Sequence, residues 1–138
     1  MVQFIKGAWK TGEVEAAKLF GKNFKIFTMG EGFTWNTQDL KRDMMKAEEA
    51  WKKCCQLLHD KEHQLVIFDE LNYVLQYQFL DVKKVIKELE KKPPMKHVIL
   101  TGGGAPEALI EVADLVTEMK MIKHPYQKGI IAQKGIEF

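Results

Sequence analysis

The apolar run Leu65-Val66-Ile67-Phe68 passes directly into two adjacent carboxylates, Asp69 and Glu70. Acids at the end of a buried strand can hold Mg²⁺, directly or through water, and so screen the charge of phosphates. The same pair can simply cap the next element. A second unusual stretch is Gly30-Glu31-Gly32-Phe33-Thr34-Trp35. If it is extended, Phe33 and Trp35 lie on one side, where they could press on a flat ligand; folded back, they would instead cover the core. Thr101-Gly102-Gly103-Gly104 stands between a strand-like and a helix-like segment. Backbone N–H groups of Gly102, Gly103 and Gly104 could approach an anion there, or the glycines could form a plain turn. The stretch is neither G-x-x-x-x-G-K-[ST] nor a full G-x-G-x-x-G, and no Walker A motif occurs in the 138 residues.

Other reactive side chains point less clearly to chemistry. His59 and His63 are four apart beside Glu62, a spacing that suits a metal pair or a solvated helix exit. Cys54 and Cys55 are adjacent in a helical segment, too close in sequence for an ordinary disulfide, and read as packing residues. His97 and His124 have no visible partner in the sequence.

Positioning these groups requires an alternation of strands and helices. Strand character is expected at residues 2–5, 24–27, 65–68, 97–101 and 115–119, with short strands near the terminal Gly-Ile steps. Helices are expected at 13–20 (stopping at Gly21), 38–58, 82–89 behind Asp81, and 107–113 behind Pro106, with a short helical segment at 71–80. The longest helix carries Leu40, Met44, Ala47, Trp51, Cys54 and Leu58 as one apolar stripe, with Asn36 or Thr37 as its cap. The continuous apolar runs at 65–68 and 97–101 suggest strands covered on both faces. Such an alternation specifies an α/β fold with a parallel sheet. Its ligand crevice lies beyond the carboxyl ends of the strands. Lys6-Gly7, residues 30–37, Asp69-Glu70 and residues 101–104 would all open onto that rim.

Composition sets the outer bounds. A chain of 138 residues makes one domain and buries roughly two-thirds of its unfolded surface without a disulfide or metal staple. Lys and Arg number 21 against 19 Asp and Glu, for a net charge of +2. No nucleic-acid partner is expected from so balanced a charge. Arg42 is the sole arginine, so bidentate clamping of an anion has one possible source. No apolar run is long enough to span a membrane and the N-terminus does not read as a signal peptide, so a cytoplasmic protein is expected, without membrane association.

Taken together, several stretches resemble the P-loop family of ATP:corrinoid adenosyltransferases. They are V-Q-F-I-K-G-A-W from Val2 with Gly12-Glu13, G-F-T-W from Gly32 with Thr37-Gln38, and Ala50-Trp51. D-E-L-N-Y-V from Asp69, the T-G-G-G turn, A-D-L-V-T-E-M from Ala113, Lys123-His124 and the closing G-I-I-A-Q-K-G-I-E-F complete the series in family order. The resemblance implies a three-layer, P-loop-NTPase-like (RecA-like) and mostly parallel sheet with helices on both faces. It implies transfer of the 5′-deoxyadenosyl group of ATP to the cobalt of a reduced corrinoid, with release of triphosphate. Glu70 matches the family's Mg²⁺-binding acid, with Asp69 beside it, and Phe33 and Trp35 match aromatics that crowd the lower face of the corrin ring. A flavoprotein or similar electron donor and a homo-oligomer, in the simplest case a homodimer, are implied as partners.

Two departures from the family pattern accompany the resemblance. The family's first strand, Gly-rich phosphate loop and first helix precede the V-Q-F-I-K-G stretch, whereas this sequence starts at that stretch. A single truncated domain over residues 1–138 is therefore expected. Gly103 stands where the family usually has arginine. The alternative expectation is a weak or inactive remnant that binds corrinoid or nucleotide without turnover.

Overall fold

Val2 stands opposite Phe27 on one side and Phe68 on the other, which makes β1 (Val2–Gln3) an interior strand of a parallel sheet. The computed structural model describes residues 1–7, 11–30, 39–133 and 135. In chain order the elements are β1, α1 (Gly12–Ala17), β2 (Phe27–Thr28), α2 (Leu40–His59), β3 (Leu65–Asp69), α3 (Leu71–Gln76), α4 (Val82–Leu89), β4 (His97–Leu100) and α5 (Glu107–Val112). Two 3-10 turns, Lys18–Asn23 and Pro125–Lys128, accompany them. The four strands pair in parallel in the order β2-β1-β3-β4. Alternation of elements therefore led to the right class, an α/β fold on a parallel sheet.

The strand order contains a switch point. From β1 the chain moves outward to β2, then returns to the other side of β1 for β3 and β4. Connections leaving in opposite directions open a crevice at the carboxyl ends of β1 and β3. The ladder holds these ends together, since Phe4 N–H donates to Asp69 O at 3.2 Å.

Helix α2 contributes more buried residues to the core than any other described element. The Asp39 side chain accepts the Arg42 N–H at 3.1 Å and caps the first turn. The expected caps Asn36 and Thr37 lie outside the described residues. From there Ala47, Trp51, Cys54 and Leu58 recur on one face, all buried. Trp51 meets Phe68 edge-on at 5.9 Å and 81°, joining the helix to β3. The upper part of the stripe departs from expectation: Leu40 and Met44 remain exposed.

Three sequence expectations are corrected. β3 and β4 are covered on one face only among the described residues: Val66 and Phe68 are buried, while Leu65 and Ile99 are about half exposed. The second strand lies at Phe27–Thr28, later than expected, because it starts where its register with β1 begins. Residues 115–119 form no strand, and neither do the described residues near the terminal Gly-Ile steps. Leu115, Val116 and Met119 are exposed there. A β-prone segment becomes a strand only when its backbone finds a neighbour to pair with.

Candidate functional site

At the switch point the first contribution comes from β3. Asp69 is its last residue, and Glu70 follows with φ 63°, in the left-handed region. That sharp turn starts α3 immediately and leaves Glu70 at the junction of strand and helix. A non-glycine residue in this conformation costs about 1–2 kcal/mol, and such strain is concentrated at functional sites.

β4 supplies the support. Thr101, just beyond it, donates its hydroxyl to Asp69 Oδ1 at 2.9 Å and accepts the Glu70 N–H at 2.9 Å. Asn72 N–H donates to Thr101 O at 3.1 Å, and Asn72 Nδ2 donates to Gly102 O at 2.9 Å. The glycine loop is thus seated on the first turn of α3. Gly102 has φ 117°, where a Cβ would be strained and would meet Asn72 Cβ at 3.1 Å. Gly103 faces the Tyr73 hydroxyl, and Gly104 the Gln76 amide. Asn72 Oδ1 is buried among these groups without a hydrogen-bond partner among the described residues.

β1 contributes the cation. Lys6, just past the strand, pairs with Glu13 of α1. Gln3 is almost fully buried; its Oε1 accepts the Thr28 hydroxyl at 2.9 Å and its Nε2 reaches Glu13 Oε1 at 3.5 Å. The hydrogen bond from Lys6 outweighs burial and holds the Glu13 carboxyl down at about 2. Burial pulls Lys6 down, but its bond to Glu13 and the charges of Glu13, Asp69 and Glu70 together raise it. Glu70 moves the other way: burial and the neighbouring Asp69 charge raise its pKa, and Lys6 opposes them only in part.

The structure therefore brings Asp69, Glu70, Gly102, Gly103 and Gly104 to one rim, as the sequence reading anticipated. Phe33 and Trp35 lie outside the described residues. The two histidines turn to different carboxylates: His59 Nε2 meets Glu88 Oε1 at 2.7 Å, while His63 Nδ1 meets Asp60 Oδ2 at 2.6 Å. Among the described residues no cluster of three or more His, Cys, Asp or Glu side chains is placed to hold a metal. Burial raises the pKa of both cysteine thiols, in keeping with packing roles. No described helix is long and apolar enough to cross a membrane. The sequence reading named Gln3, Asn72 and Thr101 only as members of longer motifs and gave no supporting role to their side chains or to that of Thr28. Its one advance signal was Gln3 itself, a polar residue inside an otherwise apolar strand run.

Comparison with known proteins places this chain in a family. The family model for ATP:corrinoid adenosyltransferase BtuR/CobO/CobP matches residues 1–138. A corrinoid adenosyltransferase of Sinorhizobium sp is 54% identical over 140 residues, covering 100% of this chain and 65% of the relative. Those of Pseudomonas aeruginosa and Escherichia coli K12 are 49% and 36% identical, again over the whole chain and over 68% and 69% of the relatives. The chain spans about two-thirds of the length of these curated relatives. With the match running from the first residue to the last, the chain belongs to the ATP:corrinoid adenosyltransferase family.

Proposed function

We propose that this chain takes part in transfer of the 5′-deoxyadenosyl group of ATP to the cobalt of a reduced corrinoid. The observation that carries this reading is the family match over the full chain, and the acid pair at the β1/β3 switch point is its chemical counterpart. In the reaction the electron pair of cobalt in the +1 state attacks C5′ of ATP. A cobalt–carbon bond forms, the C5′–oxygen bond breaks, and triphosphate leaves with that bond's electrons. Cobalt ends in the +3 state.

Each part of the rim has a task in this reading. The Glu70 carboxyl, with its raised pKa beside Asp69, is an under-neutralised anionic site. It suits Mg²⁺, which is usually held by one or two carboxylates and otherwise by phosphates and water. When bound, Mg²⁺ supplies charge neutralisation for the departing triphosphate. Thr101 fixes Asp69, so the pair keeps its place as ligands come and go. The turn through Gly102, Gly103 and Gly104 lines the same rim at a phosphate's approach. Phe33 and Trp35 are assigned to the lower face of the corrin ring, where an apolar wall in place of a coordinating ligand favours the electron-rich metal. The three-layer P-loop-like fold, a flavoprotein-type electron donor and a homo-oligomer belong to the same reading.

The test is direct. The chain is incubated with Mg-ATP and a chemically reduced corrinoid, and both the alkylcobalt product and inorganic triphosphate are measured. Stoichiometric formation of both, lost in Glu70→Gln, supports the proposal. Absence of both, with corrinoid binding retained, would make the chain a binding remnant.

A further inference from the structure

Lys6 stands out at the switch point because its surroundings fix a charge that the acid pair does not need for hydrogen bonding. Asp69 already accepts from Thr101. Among the described residues, Lys6 Nζ donates to Glu13 alone, which leaves two of the three ammonium N–H groups for another acceptor. Glu13 is in turn reached by Gln3, and Gln3 by Thr28, so a hydrogen-bonded chain crosses from β2 over β1 to α1. Gln3 is 1% exposed, which anchors the chain in the interior. The Lys6 side chain is 41% exposed, so its remaining donors are accessible from solvent.

We infer that Lys6 is a direct ligand of the polyphosphate end of the nucleotide, and that Glu13 is a positioning residue that holds the Lys6 ammonium at the β1/β3 rim. The inference rests on the nucleotide-dependent reading given above and adds two residues to it. A free lysine would sample many rotamers and lose that freedom on binding. Tethered through Glu13 to the buried Gln3, it meets the anion with that cost already met. The arrangement also explains why an acid sits beside a phosphate site: a single carboxylate bonded to Lys6 orients the ammonium without exhausting its donors.

The probe is inorganic tripolyphosphate with EDTA present, titrated into the full chain and followed by ³¹P NMR, so that Mg²⁺ plays no part. Lys6→Met is expected to weaken binding roughly tenfold or more, as loss of a charge-assisted hydrogen bond would, and to flatten its salt dependence. Lys6→Arg should stay within about threefold of wild type, because the charge persists. Glu13→Gln should weaken binding by a smaller factor, with Glu13→Asp recovering most of it. If Lys6→Met does not fold, Lys6→Gln takes its place, and thermal unfolding is recorded for every variant. Variants that unfold earlier yet bind tripolyphosphate like wild type would overturn the inference and leave the adenosyltransferase reading intact. Loss with Lys6→Met but none with Glu13→Gln would overturn the positioning role. A wild-type chain that adenosylates corrinoid without measurable affinity for tripolyphosphate would overturn the inference alone. One that does neither would overturn both readings.

Discussion

The Thr101 hydroxyl lies 2.9 Å from Asp69 Oδ1, and the same oxygen takes the Glu70 N–H, so one threonine at the end of β4 sets the geometry of both acids. Thr101→Val keeps the shape and removes both bonds. It is expected to destabilise the fold by about 1 kcal/mol, the cost of unsatisfied, partly buried partners, and to weaken Mg²⁺ binding. Thr101→Ser should restore most of each. Urea unfolding and Mg²⁺ titration of the three proteins check this.

Glu70 separates stability from chemistry. Its left-handed backbone favours glycine over alanine. Glu70→Gly should therefore be more stable than Glu70→Ala by about 1 kcal/mol, while both lose adenosyl transfer alike. Equal stability of the two variants would mean that the turn relaxes when the carboxylate is removed.

Gly30 makes a close backbone approach. A Cβ at this position would stand 2.5 Å from Phe4 O and from Ile5 C, and 2.6 Å from Ile5 O. Only movement of backbone can relieve such an overlap, so Gly30→Ala should cost about 3 kcal/mol or more. Thermal unfolding measures the loss, which should far exceed that of Gly12→Ala, where a Cβ meets nothing within 4 Å.

Acid should weaken the fold in a defined window. Burial pushes the Asp60 carboxyl up, but hydrogen bonds from His63 and Lys96 outweigh it and bring the group to about 2. Glu13 reaches about 2 through Lys6. Both pKa values are depressed on folding, so their stabilisation is complete above the unfolded values of 3.8 and 4.5 and is lost as pH falls toward 2. Each contributes on the order of 1 kcal/mol once solvent screening is allowed for. Glu70 works in the opposite sense, its raised pKa costing stability as pH rises through 4.5. Unfolding midpoints measured from pH 2 to 6 should fall below pH 4, and the fall should shrink in Asp60→Asn.

Lys96 is a buried cation in a cage of oxygens. Its three N–H groups are shared among four oxygens, Leu57 O at 3.0 Å, Asp60 O at 2.9 Å, Asp60 Oδ1 at 3.1 Å and His63 O. Lys96→Met removes a donor from each of these oxygens, leaves the Asp60 carboxylate to His63 alone, and should cost about 3–5 kcal/mol. Denaturant unfolding checks the size, and Lys96→Met/Asp60→Ala should recover part of it.

Some of this architecture was legible in the sequence, and the rest depended on partners that a sequence does not display. Ala47, Trp51, Cys54 and Leu58 announced α2 because helical periodicity is a local property. Leu65 to Phe68 announced β3 for the same reason, and Asp69 and Glu70 followed from where that run stops. Leu115 to Met119 carried strand character without becoming a strand, since pairing is a property of two segments. The side-chain roles of Thr101 and Gln3 were not legible because their partners, Asp69 and Thr28, become neighbours only through the register of the sheet. Phe33 and Trp35, the most distinctive pair in the sequence, remain a matter of family likeness.

The oxygen cage around Lys96 also has a mechanical consequence. Lys96 immediately precedes His97, the first residue of β4, and binds the last turn of α2. Helix and strand are thereby riveted at one end, and the strand's far end carries Thr101. Four strand residues separate the rivet from Thr101, a stiff arm of about 16 Å at ordinary strand rise. A displacement of the tail of α2 is therefore delivered along β4 to the threonine that holds the acids, with no loop in between to absorb it.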